Sequence, residues 1–404
     1  MQEERLDNMK NILFLVDRYY PRPSVNGICC ENVINKLRER GHNVFVGAYQ
    51  QTDNIEEKKY SFPIGRLYSQ DYHISFFRKL KHYIGWITPF KKLPAVLDKK
   101  MAGHIRDAAT YIIKEERIDT VVCAFFPMEI LVSGTMLKKI FPEITFIAYL
   151  LDPFYGGFVP RFIPSKMANN KNKKWQLRVL EQYDMSILMS SNESIHDDPI
   201  FNGIKSKLVF LDVPLFLPSS CAVKERVNQG ISVFFCGLLE YPRRNVRFIL
   251  DLINQQNSSS ITYYFAGKTN REDLFEKSNS NVVYLGEISH EKVIEYLNTC
   301  DVFLNLGVDS SNAISGKIFE YMSYGKPIIS TYSIDNEACI KYLEKYKYSL
   351  LIDERKGVNP KQIRLFSDFI SSNYNKRLNV MELEKEYYRN TPGAFADALE
   401  ELRT

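Results

Sequence analysis

Residues 301–330 read DVFLNLGVDSSNAISGKIFEYMSYGKPIIS, and the order of apolar and polar residues in them indicates the fold class. An apolar run at 302–306 predicts a buried strand, and a polar loop follows at 309–315. A short helix is predicted from about residue 315 to Gly325, a residue suited to a left-handed C-terminal cap, with a second strand at 328–329. The stretch therefore predicts a β-α-β unit of a parallel α/β sheet.

The predicted start of this helix is a candidate anion site. Unpaired backbone N–H groups and the positive end of the helix dipole favour a phosphate there. Lys317 lies in the first turn, where the dipole disfavours a cation unless a bound anion compensates it. Glu320 lies on the same helix face, and its carboxylate can accept hydrogen bonds from the two hydroxyls of a ribose. A solvated ion pair between Lys317 and Glu320 explains the spacing equally well.

The segment SGKIFEYMSYGKPII, residues 315–329, resembles the donor-binding signature of retaining, nucleotide-sugar-dependent glycosyltransferases of family 4, which have the GT-B fold. In that family a glutamate one turn into this helix holds the donor ribose, and Glu320 matches it. The resemblance implies that Ser315, Gly316 and Lys317 also bind the donor. A second family glutamate, which faces the transferred sugar, is replaced here by Asn312.

Composition excludes several classes of protein. The 404 residues are 45% hydrophobic and 25% charged, as in an ordinary globular protein of two or three domains. A net charge of +5 is too small to imply binding to nucleic acid. Seven cysteines without C-x-x-C pairs suggest neither disulfides nor zinc, and no metal is expected. Without a signal peptide or a long apolar segment, the expectation is a cytoplasmic protein, with peripheral contact to the inner face of a membrane as an option.

Residues 11–48 predict the first β-α-β unit, with a loop containing Gly27 at the carboxyl end of its first strand. Open parallel sheets bind their ligands at such loops. The loop lacks G-x-G-x-x-G, which argues against a dinucleotide cofactor. The resemblance implies that Gly27 approaches the donor phosphates, and an ordinary glycine at a helix start is the alternative.

Asp152 follows another predicted strand at its carboxyl end. Related enzymes often carry His-Asp at this point, and this chain has Leu151–Asp152. The resemblance therefore implies that Asp152 contacts the acceptor hydroxyl as a catalytic residue. An Asx turn before Pro153 is the alternative.

Residues 76–106 mix aromatic side chains with clustered lysines and arginines. This composition is typical of a surface that lies on anionic lipid headgroups. A pair of helices with buried aromatic residues and solvated lysines is the alternative. The resemblance favours the membrane, because many related enzymes use lipid-linked acceptors.

A second β-α-β series begins after a predicted linker at 214–230. The segment 237–253 resembles the family pattern in which an Arg and a Lys six residues apart bind the donor diphosphate. Arg244 occupies the Lys position, and Leu238 replaces the Arg, for which neighbouring Arg243 is a substitute. The same resemblance implies donor contacts at Gly237 and pairing of the donor base with the backbone of Glu287 and Ile288.

The overall prediction is an α/β protein with the GT-B fold, in which two doubly wound Rossmann-like domains face across a cleft. Residues 1–215 would bind the acceptor, 216–381 the donor, and a C-terminal helix at about 382–404 would cross back onto the first domain. The resemblance implies a metal-independent, retaining hexosyltransferase with a nucleotide-sugar as substrate, a UDP-sugar being favoured although uracil and guanine both remain open. The expected acceptor is a saccharide or lipid-linked saccharide of bacterial surface polysaccharide synthesis.

Two other functions remain open. The changes at Leu238 and Asn312 are compatible with an inactive GT-B partner subunit. A sugar-nucleotide 2-epimerase has the same fold, but it needs acid and base groups that the six histidines do not obviously supply.

Overall fold

The computed structural model describes residues 9–19, 24–49, 61–64, 84, 97–151, 163–218, 230–256, 258–308 and 314–402. The chain forms two compact units, Met1–Pro214 with Pro392–Thr404 and Leu215–Thr391. Residues 382–391 thus belong to the second unit, where the Tyr387 hydroxyl donates to the Tyr342 carbonyl at 2.9 Å. The helix that returns to the first unit begins at Pro392, because proline can occupy the first position of a helix but cannot continue one.

The first unit is a parallel sheet of seven strands in the order β3-β2-β1-β4-β5-β6-β7. Its strands and helices are β1 (Asn11–Arg18), α1 (Val25–Glu39), β2 (Asn43–Tyr49), β3 (Ser61–Pro63), α2 (Lys99–Glu115), β4 (Thr120–Phe125), α3 (Met128–Ile140), β5 (Thr145–Leu150), α4 (Ser165–Leu180), β6 (Met185–Met189) and β7 (Leu208–Leu211). Two 3₁₀ helices, Ser190–Ile195 and Pro199–Lys207, lie between β6 and β7.

Helices cover both faces of this sheet, which explains why its strands are continuous apolar runs. On one face, α2, α3 and α4 share a single core cluster with the strands, including Ile112, Leu137 and Trp175. The C-terminal helix lies on the other face, where Phe395 contacts Phe14 and Tyr149 at ring-centroid distances of 6.1 and 4.8 Å.

The second unit is a parallel sheet of six strands in the order β10-β9-β8-β11-β12-β13. Its elements are β8 (Ile231–Cys236), α5 (Val246–Gln256), β9 (Ile261–Ala266), α6 (Glu272–Glu276), β10 (Val282–Gly286), α7 (His290–Thr299), β11 (Val302–Asn305), α8 (Lys317–Met322), β12 (Ile328–Tyr332), α9 (Ile340–Leu343), β13 (Ser349–Asp353), α10 (Pro360–Asn373) and α11 (Val380–Glu386). The C-terminal helix of the first unit, Pro392–Glu401, is α12.

The strand-helix-strand prediction for 301–330 is confirmed as β11, α8 and β12, with one difference at the helix start. The backbone N–H groups of Ile318 and Phe319 donate to the carbonyls of Ser315 and Gly316, which is the tighter i+3 pattern, so the α-helix begins only at Lys317. Gly325 has a φ of +63° and its N–H donates to Met322, as expected for a left-handed cap.

Both units are doubly wound α/β sheets, as the sequence predicted. Within the described ranges, none of the helices combines the length and the apolar character needed to cross a bilayer.

Candidate active site

The second sheet has one point at which its strand order reverses direction, between β8 and β11. The chain runs outward to β10 on one side of this point and to β13 on the other. Ligands of open parallel sheets bind outside the carboxyl ends of the strands at such a switch point. Two segments lie at this point: Gly237 to Arg244, which follows β8, and Leu306 to Val308, which follows β11.

Arg244 connects these two segments. Its Nη1 donates to the Leu306 carbonyl at 2.9 Å. The side chain is half-buried, and burial lowers its pKa while the neighbouring Tyr321, Cys339 and Glu337 oppose that effect. A guanidinium remains charged under any such shift, and it has five N–H donors. Arg243, in contrast, is exposed.

Lys317 and Glu320 form a short ion pair between Nζ and Oε2 on α8. Their side chains are 34% and 22% exposed. Burial alone would lower the pKa of Lys317, but the carboxylate of Glu320 and the thiol of Cys236 raise it above its ordinary value. The i,i+3 pair considered from the sequence is thus present, and both side chains remain partly accessible. Because α8 has only six residues, the two charged side chains matter more here than the helix dipole.

Tyr321 fixes α8 to the carboxyl end of β8. Its hydroxyl accepts a hydrogen bond from the backbone N–H of Cys236 at 2.9 Å, and its ring stacks on Phe303 at 4.7 Å. The side chain is fully buried. This anchoring brings Lys317 and Glu320 close to Cys236, so that both affect the pKa of its thiol, which burial raises. Sequence reasoning missed Tyr321, for which the only signal was an aromatic residue in a short helix.

Two further residues missed from the sequence, Glu337 and Cys339, hold the loops beneath this site. The Glu337 carboxylate accepts from the Val308 N–H at 3.2 Å, and the Cys339 sulfur accepts from the Ser315 N–H at 3.3 Å. Both side chains are buried, and burial raises the pKa of Cys339 to about 12. Both residues follow β12 and lie far from Val308 and Ser315 in sequence, so no local sequence pattern indicates these contacts.

Glycines end three neighbouring strands beside the switch point, namely Gly237, Gly267 and Gly286. The Gly267 N–H donates to the Gly286 carbonyl at 2.7 Å. A Cβ at Gly267 would lie 1.9 Å from the Gly237 carbonyl oxygen, so only glycine fits there. Gly237 thus lies in a closely packed backbone layer at the carboxyl edge of the sheet.

Of the remaining predicted residues of this unit, Glu287 and Ile288 lie further from Arg244 along the sheet. Glu287 is exposed and Ile288 is half-buried after β10, two strands from β8. Gly316 is the N-cap of α8, and Ser315 is buried. Leu238 is 44% exposed. Asn312 lies outside the described residues.

In the first unit, Gly27 lies in the first turn of α1 and is buried. Its N–H donates to the Ser24 hydroxyl at 2.9 Å, and that hydroxyl donates to Asp17 at 2.6 Å. These bonds are those of an ordinary helix N-cap. The predicted catalytic Asp152 lies outside the described residues. Asp198, part of the acidic pair Asp197–Asp198, caps the 3₁₀ helix Pro199–Lys207 and pairs with Lys173 at 2.5 Å.

Solved structures of the same fold cover nearly the whole chain. The lipopolysaccharide outer core galactosyltransferase WaaB in its apo form is 13% identical, with 96% of this chain and 99% of that chain covered and a TM-score of 0.56. A glycosyltransferase from Rickettsia africae ESF-5 is 14% identical over 95% and 100%, with a TM-score of 0.59. A UDP-GlcNAc 2-epimerase from Methanocaldococcus jannaschii is 12% identical over 91% and 94%, with a TM-score of 0.52.

These similarities confirm the prediction of the GT-B fold. No curated protein sequence matches this chain significantly. Residues 230–358, which lie within the second unit and include every described element from β8 to β13, match the family model of the glycosyl transferases group 1. The second unit thus contains a domain of the glycosyl transferases group 1.

Proposed function

We propose that this protein is a retaining hexosyltransferase that moves a sugar from a nucleotide-sugar, with a UDP-sugar favoured, to a saccharide or lipid-linked saccharide. A role in bacterial surface polysaccharide synthesis follows from the same family resemblance. The observation that carries the proposal is the position of Arg244 at the switch point of the second sheet, hydrogen-bonded to Leu306. A partly buried guanidinium at this point is suited to the diphosphate of the donor.

Arg244 and Lys317 would neutralise the leaving diphosphate. The bond from the anomeric carbon to the diphosphate oxygen breaks as the acceptor oxygen attacks from the same face, and the acceptor proton passes to the departing diphosphate. Fixed positive groups stabilise the charge that develops on that oxygen. No protein nucleophile is required by this route, and the proposal includes no metal or other cofactor.

Glu320 would bind the donor ribose. In the structure its carboxylate is paired with Lys317. When a diphosphate attracts the Lys317 ammonium, the carboxylate of Glu320 becomes available to accept from the two ribose hydroxyls. Donor binding therefore replaces this one partly accessible ion pair by two new interactions.

The other predicted residues complete this proposal. Backbone groups of Gly237, Ser315 and Gly316 would approach the donor phosphates, and those of Glu287 and Ile288 the base. Asn312 would hydrogen-bond the transferred sugar. Gly27 and the catalytic residue Asp152 would act from the first unit, which would bind the acceptor. Location on the cytoplasmic side of a membrane, with residues 76–106 in contact with it, is part of the same proposal.

A donor screen tests the proposal. Thermal unfolding is measured with UDP, GDP and their common sugar conjugates, because a bound ligand raises the unfolding temperature by mass action. The shift should appear with one nucleotide series and disappear in Glu320→Ala, while Glu276→Ala, an exposed acid on α6, retains it. If the ligand raised the unfolding temperature of both variants equally, Glu320 would not be part of the donor site.

A 2-epimerase is the second candidate, because the fold is shared with such an enzyme. The two activities give different products from UDP-N-acetylglucosamine. An epimerase forms the 2-epimer of the intact nucleotide-sugar, whereas a transferase without acceptor releases free sugar and UDP. Nuclear magnetic resonance of the reaction mixture distinguishes them, and a protein that binds the donor without either product would be the inactive partner subunit.

A further inference from the structure

The pairing of β8 with β9 continues past the carboxyl ends of both strands. The backbone N–H of Leu239 donates to the Lys268 carbonyl at 2.9 Å, and the Thr269 hydroxyl donates to the Leu239 carbonyl at 3.0 Å. Residues 237–241 and 267–271 therefore form a paired segment at the carboxyl edge of the second sheet, which we call the β8–β9 extension.

The outer part of the β8–β9 extension is fixed by side chains. The Tyr241 N–H donates to the side-chain oxygen of Asn270 at 2.9 Å, and the Asn270 amide donates back to the Tyr241 carbonyl at 2.8 Å. The Arg271 guanidinium lies over the Tyr241 ring, 5.6 Å from its centroid. The backbone that carries Lys268 is thus held in a defined position beside the switch point.

The side chains of Leu238 and Lys268 lie on one face of the β8–β9 extension, because side chains of extended segments alternate between two faces. Leu239 pairs with Thr269 in parallel register, and it is fully buried in the same core cluster as Phe235. Leu238 and Lys268, each one residue earlier, therefore lie on the opposite face. Both are exposed.

Residues of β8 and β9 with the same parity contact α7. Phe234 and Tyr264, an even number of positions before Leu238 and Lys268, both pack on Tyr296, with ring centroids 5.0 and 5.1 Å apart. The two exposed residues therefore lie on the face of the sheet that α7 contacts.

The charged side chains of α8 lie on this face as well. Cys236, two residues before Leu238, shares its face, and the charges of Lys317 and Glu320 affect the pKa of the Cys236 thiol. Lys268 thus extends the charged surface of α8 by one strand, from β8 to β9.

Lys268 is a cation without a neutralising acid. It is exposed, and it forms no ion pair with any residue that the structure describes. Asp273, an acid in the same connection, pairs with Arg271 at 2.8 Å. The Lys268 ammonium is therefore available to an anionic ligand at the carboxyl edge of the sheet.

We propose that Lys268 binds the phosphate nearer to the ribose of the nucleotide-sugar. The inference rests on the proposed function, in which the diphosphate lies at the switch point and the base beyond β10. Because β9 lies between β8 and β10, a donor that spans these two positions passes the end of β9. There Lys268 supplies a point charge for a phosphate, beside Leu238, which carries no charge.

Titration calorimetry with UMP, UDP, GMP and GDP tests this role. Lys268→Gln should weaken binding of the monophosphate and of the diphosphate by the same factor, about tenfold, because both ligands contain the phosphate next to the ribose. Lys268→Arg keeps the positive charge and should retain most of the affinity. In both variants the backbone carbonyl still accepts from Leu239, so the β8–β9 extension should remain folded.

The matched control is Lys277→Gln, which removes an exposed lysine at the C-terminal end of α6, in the same connection between β9 and β10. It should bind nucleotides like the wild type. Wild-type affinity of Lys268→Gln, a loss confined to the diphosphates, or equal losses in Lys268→Gln and Lys277→Gln would overturn this role of Lys268 and leave the proposed function standing. If the wild type bound none of the four nucleotides, the proposed function would itself be wrong, and this role of Lys268 with it.

Discussion

The Nη1 of Arg244 lies 2.9 Å from the carbonyl oxygen of Leu306 and donates a hydrogen bond to it across the switch point of the second sheet. The first sheet has a similar bond at its own switch point, where the Asn26 amide donates to the Phe125 carbonyl at 3.2 Å. In both units a side chain that follows the first strand reaches the carboxyl end of the strand across the switch. The difference is charge, because Arg244 is a cation and Asn26 is neutral.

Replacing Arg244 should weaken nucleotide binding. Arg244→Gln removes a charged donor that is proposed to contact the diphosphate, and such hydrogen bonds contribute about 1.5–3 kcal/mol, or roughly tenfold to a hundredfold in Kd. Titration calorimetry with UDP and with GDP measures the effect. Arg247→Gln, an exposed arginine on α5, is the control and should bind like the wild type. If the two variants bound the nucleotides with equal affinity, a group other than Arg244, such as Arg243, would bind the diphosphate.

The strands could be predicted because their signals are local, and the family motif selected Arg244, Lys317 and Glu320 as candidate site residues. Parallel strands buried on both faces are continuous apolar runs, and the family motif brings its own spacing. The partners of these residues could not be predicted, since Leu306 lies far from Arg244 in sequence, and Glu337 and Cys339 follow a different strand. The α-helix begins two residues later than predicted because the N–H groups of Ile318 and Phe319 donate to the carbonyls of Ser315 and Gly316 in the i+3 pattern, which the sequence does not indicate.

Gly267→Ala should prevent stable folding of the second unit. The added Cβ would lie 1.9 Å from the backbone oxygen of Gly237, and Gly267 has a φ of +131°. We expect a loss of more than about 3 kcal/mol in the free energy of unfolding. Gly286→Ala is the control, because its φ is +64° but nothing lies within 4 Å of the added Cβ, so about 1 kcal/mol is expected. Urea denaturation followed by circular dichroism measures both, and similar losses in the two variants would contradict the predicted clash.

Lys326→Met should destabilise the second unit by about 3 kcal/mol. The Lys326 ammonium is buried, and it donates to the carbonyls of Leu297, Asn298 and Cys300 at 2.7, 2.7 and 2.5 Å. These carbonyls end α7 and have no further helical turn to bind them, so methionine would leave them buried without the charged donor. Lys292→Met is the control, since Lys292 only pairs with Glu295 on the surface of α7. Thermal unfolding measures the free energy of unfolding of both variants. A difference of less than about 1 kcal/mol between them would be inconsistent with this role of Lys326.

The first unit should lose stability when the pH falls below about 6.5 because of His196. This imidazole is buried, with Nε2 2.7 Å from the Gln176 amide nitrogen and Nδ1 2.8 Å from the Asn192 carbonyl, and the rings of Phe201 and Phe210 pack against it. Burial lowers its pKa, an effect opposed by its bond to Asn192 and by nearby Asp197 and reinforced by Lys173.

Because the folded pKa of His196 lies below the unfolded one, the unfolded chain binds more protons between the two values. The free energy of unfolding therefore decreases as the pH falls through that window, by up to about 1.4 kcal/mol per pH unit. Trp175 is buried in the core of the first unit, so its fluorescence in urea reports on that unit. His196→Gln should have a flatter dependence between pH 7.5 and 5.5. Ile204→Val is the control, because it changes the core without removing a titrating group, and its free energy of unfolding should depend on pH as in the wild type. If His196→Gln also kept the wild-type pH dependence, other residues would cause the acid sensitivity.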